Sequence, residues 1–163
     1  MLKKLKRTTQ ELRDARVAIV ASQYNARYVN GLLRGAQREL RRAGVKHARV
    51  VRVPGAFEIP AVAAWLAHHT LPRPEAIICL GVILRGETTH AEFIGAAVTH
   101  ALARLQVEKA LPFIHEVLLL EDAGQAQARC LGMKYNRGAE AAQTALAMVR
   151  VMRWLGASGA PTE

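Results

Sequence analysis

Ala76-Ile-Ile-Cys-Leu-Gly-Val-Ile-Leu84, continued by Arg85-Gly-Glu-Thr-Thr-His90, is the stretch from which the fold can be read. Nine apolar residues in a row, preceded by Leu71-Pro-Arg-Pro74, predict a strand buried on both faces. The run breaks at a Gly-Glu-Thr-Thr turn, after which Ala91-Glu-Phe-Ile94 opens a helical pattern. Thr89 stands three residues before Glu92, the spacing of a capping box, so a helix is expected from about His90 to Leu105. The turn offers free N–H groups, the positive end of a helix and a histidine in one place. Such a place suits an anion beside a proton-transfer group.

The same alternation extends in both directions. Arg16–Ser22 and Ala48–Val53 read as strands before this one, and Phe113–Leu120 as a strand after it. Val29, Leu32, Leu33, Ala36 and Leu40 recur at helical spacing with Gly44 as a stop. Pro60 suits the first turn of a short helix reaching His69. Asp122 with Gln125 forms a second capping-box spacing before a short helix to about Leu131, and a last helix spans Gly138 to about Leu155. Strand–helix alternation of this kind predicts an α/β fold, a three-layer α/β/α sandwich around a four-stranded parallel sheet. Residues 16–155 form one domain in this reading, with a basic tail over 1–15 and a frayed tail over 156–163. No linker or repeat divides the 163 residues.

Composition narrows the function. No apolar run is long enough to span a bilayer, so no membrane role is expected. Two cysteines, Cys79 and Cys130, form no pairing or metal spacing, which fits a reducing cytoplasm. The six histidines lack ligand spacing, and no metal is expected. Residues 1–52 hold 14 Lys/Arg against 3 Asp/Glu, so the whole formal charge of +10 comes from the first third. Arg34, Arg38 and Arg42 share a helix face with Arg41 beside it. A polyanion surface is one reading. A solvated outer face is the plainer one, because no aromatic residues interleave to stack bases, and nucleic acid is not expected as a partner.

In open parallel sheets, ligands collect beyond the carboxyl ends of the strands. Every chemically distinctive turn follows a strand: Ser22–Asn25, Pro54–Pro60, Arg85–His90 and Glu121–Arg129. His90 is the first candidate for proton transfer, against a plain helix-start histidine. Tyr24 offers a flat platform or core packing, and Asn25 a ring-edge contact or a helix cap. Glu58 equally serves as an acceptor for hydroxyls or as a first-turn helix acid. Arg129, about two turns past Asp122, is a phosphate clamp or an ordinary surface arginine. His115 and Glu116 interrupt an apolar strand, so one of them is expected at a cavity or interface.

Together these motifs resemble the lumazine synthase family across nearly the whole chain. The resemblance rests on Tyr24-Asn25, Val53-Pro-Gly-Ala-Phe-Glu-Ile-Pro60, Gly81 through His90, Gln125-Ala-x-x-Arg129 and Asn136-Arg-Gly138. It implies a flavodoxin-like fold. It also implies condensation of 5-amino-6-(D-ribitylamino)uracil with 3,4-dihydroxy-2-butanone 4-phosphate to 6,7-dimethyl-8-ribityllumazine, phosphate and water. By the same resemblance Tyr24, Asn25, Ala56, Phe57, Glu58, Val82, Ile83 and His115 meet the pyrimidine and ribityl chain. Gly86, Glu87, Thr88, Arg129 and Arg137 hold phosphate, and His90 is the acid–base group, with no cofactor. His115 stands where an aromatic normally arrives from a neighbouring subunit, Arg137 replaces a usual lysine, and Glu116-Val-Leu-Leu119 replaces Gly-Val-Leu-Thr. The resemblance further implies a homo-oligomer built from pentamers with the site between subunits, and riboflavin synthase as a downstream partner. The less glycine-rich kink Leu131-Gly-Met-Lys-Tyr-Asn136 points to free pentamers or decamers rather than shells. The rival readings are a non-catalytic lumazine or flavin binder and a basic nucleic-acid-binding protein. A flavodoxin-type electron carrier is disfavoured by the absence of a redox motif.

Overall fold

A computed structural model describes residues 12–158. The basic residues Lys3, Lys4, Lys6 and Arg7 and the last five residues lie outside that range. The chain alternates β1 (Val17–Ser22), α1 (Ala26–Arg42), β2 (Ala48–Val53), α2 (Ile59–His69), β3 (Ala76–Leu84), α3 (His90–Lys109), β4 (Phe113–Leu120), α4 (Ala123–Cys130) and α5 (Arg137–Ser158). A single 3-10 turn, Ala56–Glu58, leads into α2. The strands pair in parallel in the order β2-β1-β3-β4, the flavodoxin-like arrangement.

Strand alternation sends side chains to two cores. Val17, Ile19 and Ala21 with Ile78, Leu80 and Val82 face Leu32, Ala36, Ala142 and Val149 of α1 and α5. Ala18, Val20, Ile77 and Cys79 face Ile59, Leu66, Val98 and Leu102 of α2 and α3 on the other side. The two cysteines therefore lie on opposite sides of the sheet, and burial pushes the thiol of Cys79 up and that of Cys130 up to about 11. Sandwiching on both faces explains why β1 and β3 are apolar almost throughout.

The expected ends move outward in two places. Leu12 and Ala15, assigned to the basic tail, are buried in the core, and the Leu12 N–H donates to Ala43 O at 2.9 Å. The last helix continues through Gly156 to Ser158. Gly44 does end the α1 region, with a φ of 82° that favours glycine. Asn136-Arg137-Gly138 is a packing joint. Asn136 donates to Gly31 O (3.1 Å) and Cys130 O (2.6 Å) and accepts from the Ala139 N–H (3.0 Å). A Cβ on Gly138 would stand 1.9 Å from Leu32 O, so only glycine lets α5 lie this close to α1. No helix among the described residues is long and apolar enough to cross a membrane.

Candidate functional site

Sheet order reverses between β1 and β3, so the loops after these strands leave toward opposite layers and open a crevice at the carboxyl end. Asn25 bridges that crevice. It occupies the left-handed region (φ 57°), which asparagine tolerates, and its side chain donates to Val82 O at 2.8 Å. The helix-cap reading of Asn25 is corrected by this bond, because its side chain makes no cap to α1.

The loop after β2 comes to the same place. The Tyr24 N–H donates to Pro54 O at 3.0 Å. The Glu58 carboxylate accepts from the Gly55 N–H at 2.8 Å, closing the turn. A Cβ on Gly55 would sit 2.9 Å from Glu58 Oε2 and 3.0 Å from the Tyr24 ring, so ring and carboxylate flank one piece of bare backbone. Tyr24 is 69% exposed and Phe57 59%, which removes core packing as the explanation for Tyr24. Ala56 and Val82 are buried beneath them and Ile83 is half-buried.

Gly86, Glu87, Thr88 and His90 are all exposed on the loop after β3. The His90 N–H points at Thr88 Oγ1, 3.4 Å away. The capping box expected of Thr89 and Glu92 is absent, since Thr89 makes no side-chain cap. Glu92 instead pairs with Arg85, which also binds Glu121 at 2.8 Å. The loops after β3 and β4 are thereby tied together by an arginine to which sequence reading gave no role. The signal was weak: an arginine next to Gly86 with its acids seven and thirty-six residues away. The second capping box is half formed, with Asp122 accepting from Gln125 N (2.8 Å) while the Gln125 side chain reaches Glu121 N (3.2 Å).

Arg129 is exposed on α4. Arg137, grouped with it in the sequence reading, is held by two carboxylates, Glu116 at 2.8 Å and Glu140 at 2.7 Å. Burial pushes the Glu116 carboxyl up against the pull of Arg137. His115 lies on the other face of β4 and is not brought to Tyr24 within one chain. Its register partner is Cys79, three rungs below the Val82–Leu118 rung, or about 10 Å down the strand. The His115 Nδ1 accepts from the Val117 N–H (3.2 Å) and its Nε2–H meets Thr99 Oγ1 (2.8 Å), which fixes a neutral tautomer; burial likewise pushes its pKa below 6.5. Among the described residues no group of His, Cys, Asp and Glu is placed to hold a metal ion. Ser22, at the carboxyl end of β1, was not singled out. Its Oγ is buried with no hydrogen-bond partner among the described residues.

The family model for 6,7-dimethyl-8-ribityllumazine synthase matches residues 14–153. This chain belongs to that family. A 6,7-dimethyl-8-ribityllumazine synthase of Halorhodospira halophila is 40% identical over 148 residues, covering 90% of this chain and 94% of the relative. That of Stenotrophomonas maltophilia is 41% identical over 144 residues (87% and 92% covered), and that of Pyrococcus furiosus 38% over 141 (86% and 87%). The likeness therefore spans the sheet and all the loops at its carboxyl end. Bonds from the Asn25 side chain to Val82 O, from the Tyr24 N–H to Pro54 O and from the Arg85 side chain to Glu121 tie the loops after the four strands to one another at this end of the sheet.

Proposed function

We propose that this chain condenses 5-amino-6-(D-ribitylamino)uracil with 3,4-dihydroxy-2-butanone 4-phosphate to give 6,7-dimethyl-8-ribityllumazine, phosphate and water. The observation that supports the reading is the Asn25 bond across the sheet to Val82 O, with Glu58 and the Tyr24 ring flanking Gly55 beside it, in a chain of this family.

Each residue has a part that its surroundings support. Tyr24 and Phe57 offer exposed rings to a flat pyrimidine, and Glu58 and the Gly55–Ala56 backbone offer acceptors and donors to the ribityl hydroxyls. Val82 and Ile83 floor the crevice. Gly86, Glu87 and Thr88 present backbone and hydroxyl groups at the start of α3, whose positive end favours a phosphate, and Arg129 adds a guanidinium. Arg137 contributes there only if it leaves its two carboxylates. His90, one residue beyond this cradle, moves protons as the amine attacks the ketone, phosphate leaves and the ring closes. Positioning two small molecules dominates such chemistry, with roughly 7–11 kcal/mol available from proximity and about 10²–10⁴-fold from proton transfer.

The chain acts as a pentamer or a pair of pentamers in this reading. Phe93 (71% exposed), His100 and Val107 (82%) recur every seventh residue on the outer face of α3, a stripe that a second copy would cover. His115 on the edge strand β4 then serves a neighbour's crevice. The cytoplasm, where its two thiols stay reduced, is the proposed location, and riboflavin synthase the consumer of its product. Mixing the purified protein with both substrates tests the function: lumazine fluorescence and released phosphate should appear together. Tight lumazine binding without turnover would sink the catalytic reading, and a monomeric mass by light scattering would sink the shared site.

A further inference from the structure

The outward face of α1 is a second surface, remote in chemistry from the crevice. At 100° per residue, Arg27, Arg34, Arg38 and Arg41 fall on one narrow stripe, with Arg42 at its margin, opposite the buried Val29, Leu32, Ala36 and Leu40. The stripe is about 21 Å long at 1.5 Å per residue. Glu39, the only acid of α1, is buried and turned to Gln143 (3.0 Å) and Arg42 (3.1 Å). Arg27, Arg34, Arg38 and Arg41 have no carboxylate partner among the described residues, and Arg27 lies only against the Tyr28 ring, 5.8 Å away.

We propose that this stripe binds the phosphate backbone of duplex nucleic acid without reading its sequence. Like charges exclude a second copy of the same face. A protein partner would need an apolar centre to its interface, and residues 26–53 expose no large hydrophobic side chain. A single strand would need a row of exposed aromatic platforms, whereas the half-buried Tyr28 is the one ring on α1. A duplex needs neither, since it carries one charge per about 1.7 Å and so about 12 along the stripe. The sequence alone favours a solvated face; the unpaired arginines and the inward turn of Glu39 shift that balance.

The test is fluorescence anisotropy of a labelled duplex of roughly 12 base pairs with the full chain, between about 50 and 200 mM salt. Four phosphate contacts give a log–log salt slope of about −3.6, a loss of roughly 10²-fold across that range. Arg34→Ser/Arg38→Ser/Arg41→Ser should flatten the slope by about 2.7 and weaken low-salt binding, with far-UV circular dichroism unchanged. The corresponding triple lysine variant should keep binding, as point charges suffice. Lys3→Ser/Lys4→Ser/Lys6→Ser/Arg7→Ser should retain the α1-dependent part of the slope. No binding by the unaltered chain at the lowest salt overturns the proposal. So does a serine variant that binds as before, or a loss confined to the tail variant. Polyglutamate held as tightly as the duplex would assign the stripe to acidic proteins and equally overturn it.

Discussion

The two ends of the sheet are built in opposite ways. At the amino end Glu75 is gripped by both forks of Arg153 (2.7 and 3.0 Å) and by the Arg16 N–H (3.0 Å), while Arg153 also reaches Asp14. Arg16 donates to Arg73 O and Arg73 to Lys109 O, so the polar groups there bind the chain to itself. At the carboxyl end Tyr24, Phe57, Thr88, His90 and Arg129 face solvent, and the bonds that do form run through Asn25, Gly55 and the exposed Arg85. One end spends its polar groups on cohesion; the other keeps them available. The separation lets loops change their chemistry without loosening the fold.

The widest gap between the ends should appear with His90→Ala. Turnover is expected to fall by about 10²–10⁴-fold while unfolding stays unchanged, because the ring is exposed at a helix start. A folded variant with no activity left would mean that chemistry, not positioning, dominates. Asn136→Ala should do the reverse. It removes a helix cap and strands the Cys130 carbonyl at the end of α4, while Gly31 O keeps its partner within α1, costing about 2–4 kcal/mol by urea unfolding. A small loss would show that the joint between α1 and α5 relaxes more freely than its geometry implies. Arg129→Ala is next: loss of a charge-assisted contact worth about 1.5–3 kcal/mol should raise KM for the phosphate-bearing substrate roughly 10–100-fold, with KM for the pyrimidine unmoved. An unaltered KM removes Arg129 from the phosphate site.

Legibility in the sequence followed the range of the interactions. β2, β3 and β4 carry the expected bounds, because a buried strand announces itself by composition over its own length. α3 runs four residues beyond Leu105, since Val107 and its neighbours continue the helix toward an uncovered face. Local capping rules failed at Thr89, where Arg85 draws Glu92 away, and at Asn25, where Val82 O replaces the cap. Arg153–Glu75 spans 78 positions and no pattern forecasts it. Tyr24, Glu58 and His90 were legible as residues, and their common end of the sheet followed from their placement after parallel strands, whereas the ties from Asn25 to Val82 O and from Arg85 to Glu121 did not.

The amino end should reveal itself by pH. Burial pushes the Glu75 carboxyl up, but Arg153 and Arg16 outweigh it and hold it below its usual 4.5. A carboxylate depressed in the folded state adds stability above pH 4.5 that is lost as pH falls through the folded value. Glu75→Gln should therefore flatten the acid limb of the stability curve and lower stability near neutrality by up to about 1 kcal/mol, the scale of a part-exposed pair. Parallel acid limbs in the two proteins would show that the clamp is electrostatically idle.

The smallest effect tests whether the carboxyl end is as open as it looks. Strand alternation puts Ser22 on the same side as Val20, toward the 56–58 turn, and its Oγ lies buried without a partner among the described residues. A hydroxyl left unpaired is destabilising, so Ser22→Ala should leave the free protein equally or slightly more stable, by a few tenths of a kcal/mol up to about 1. If a substrate hydroxyl or its bridging water completes the bond, the same change should raise KM for the ribityl-bearing substrate a few-fold. Stability and affinity then move in opposite directions. A hydroxyl that merely packs would give no such opposition, and Ser22 would count with the cohesive end of the sheet despite standing at the other.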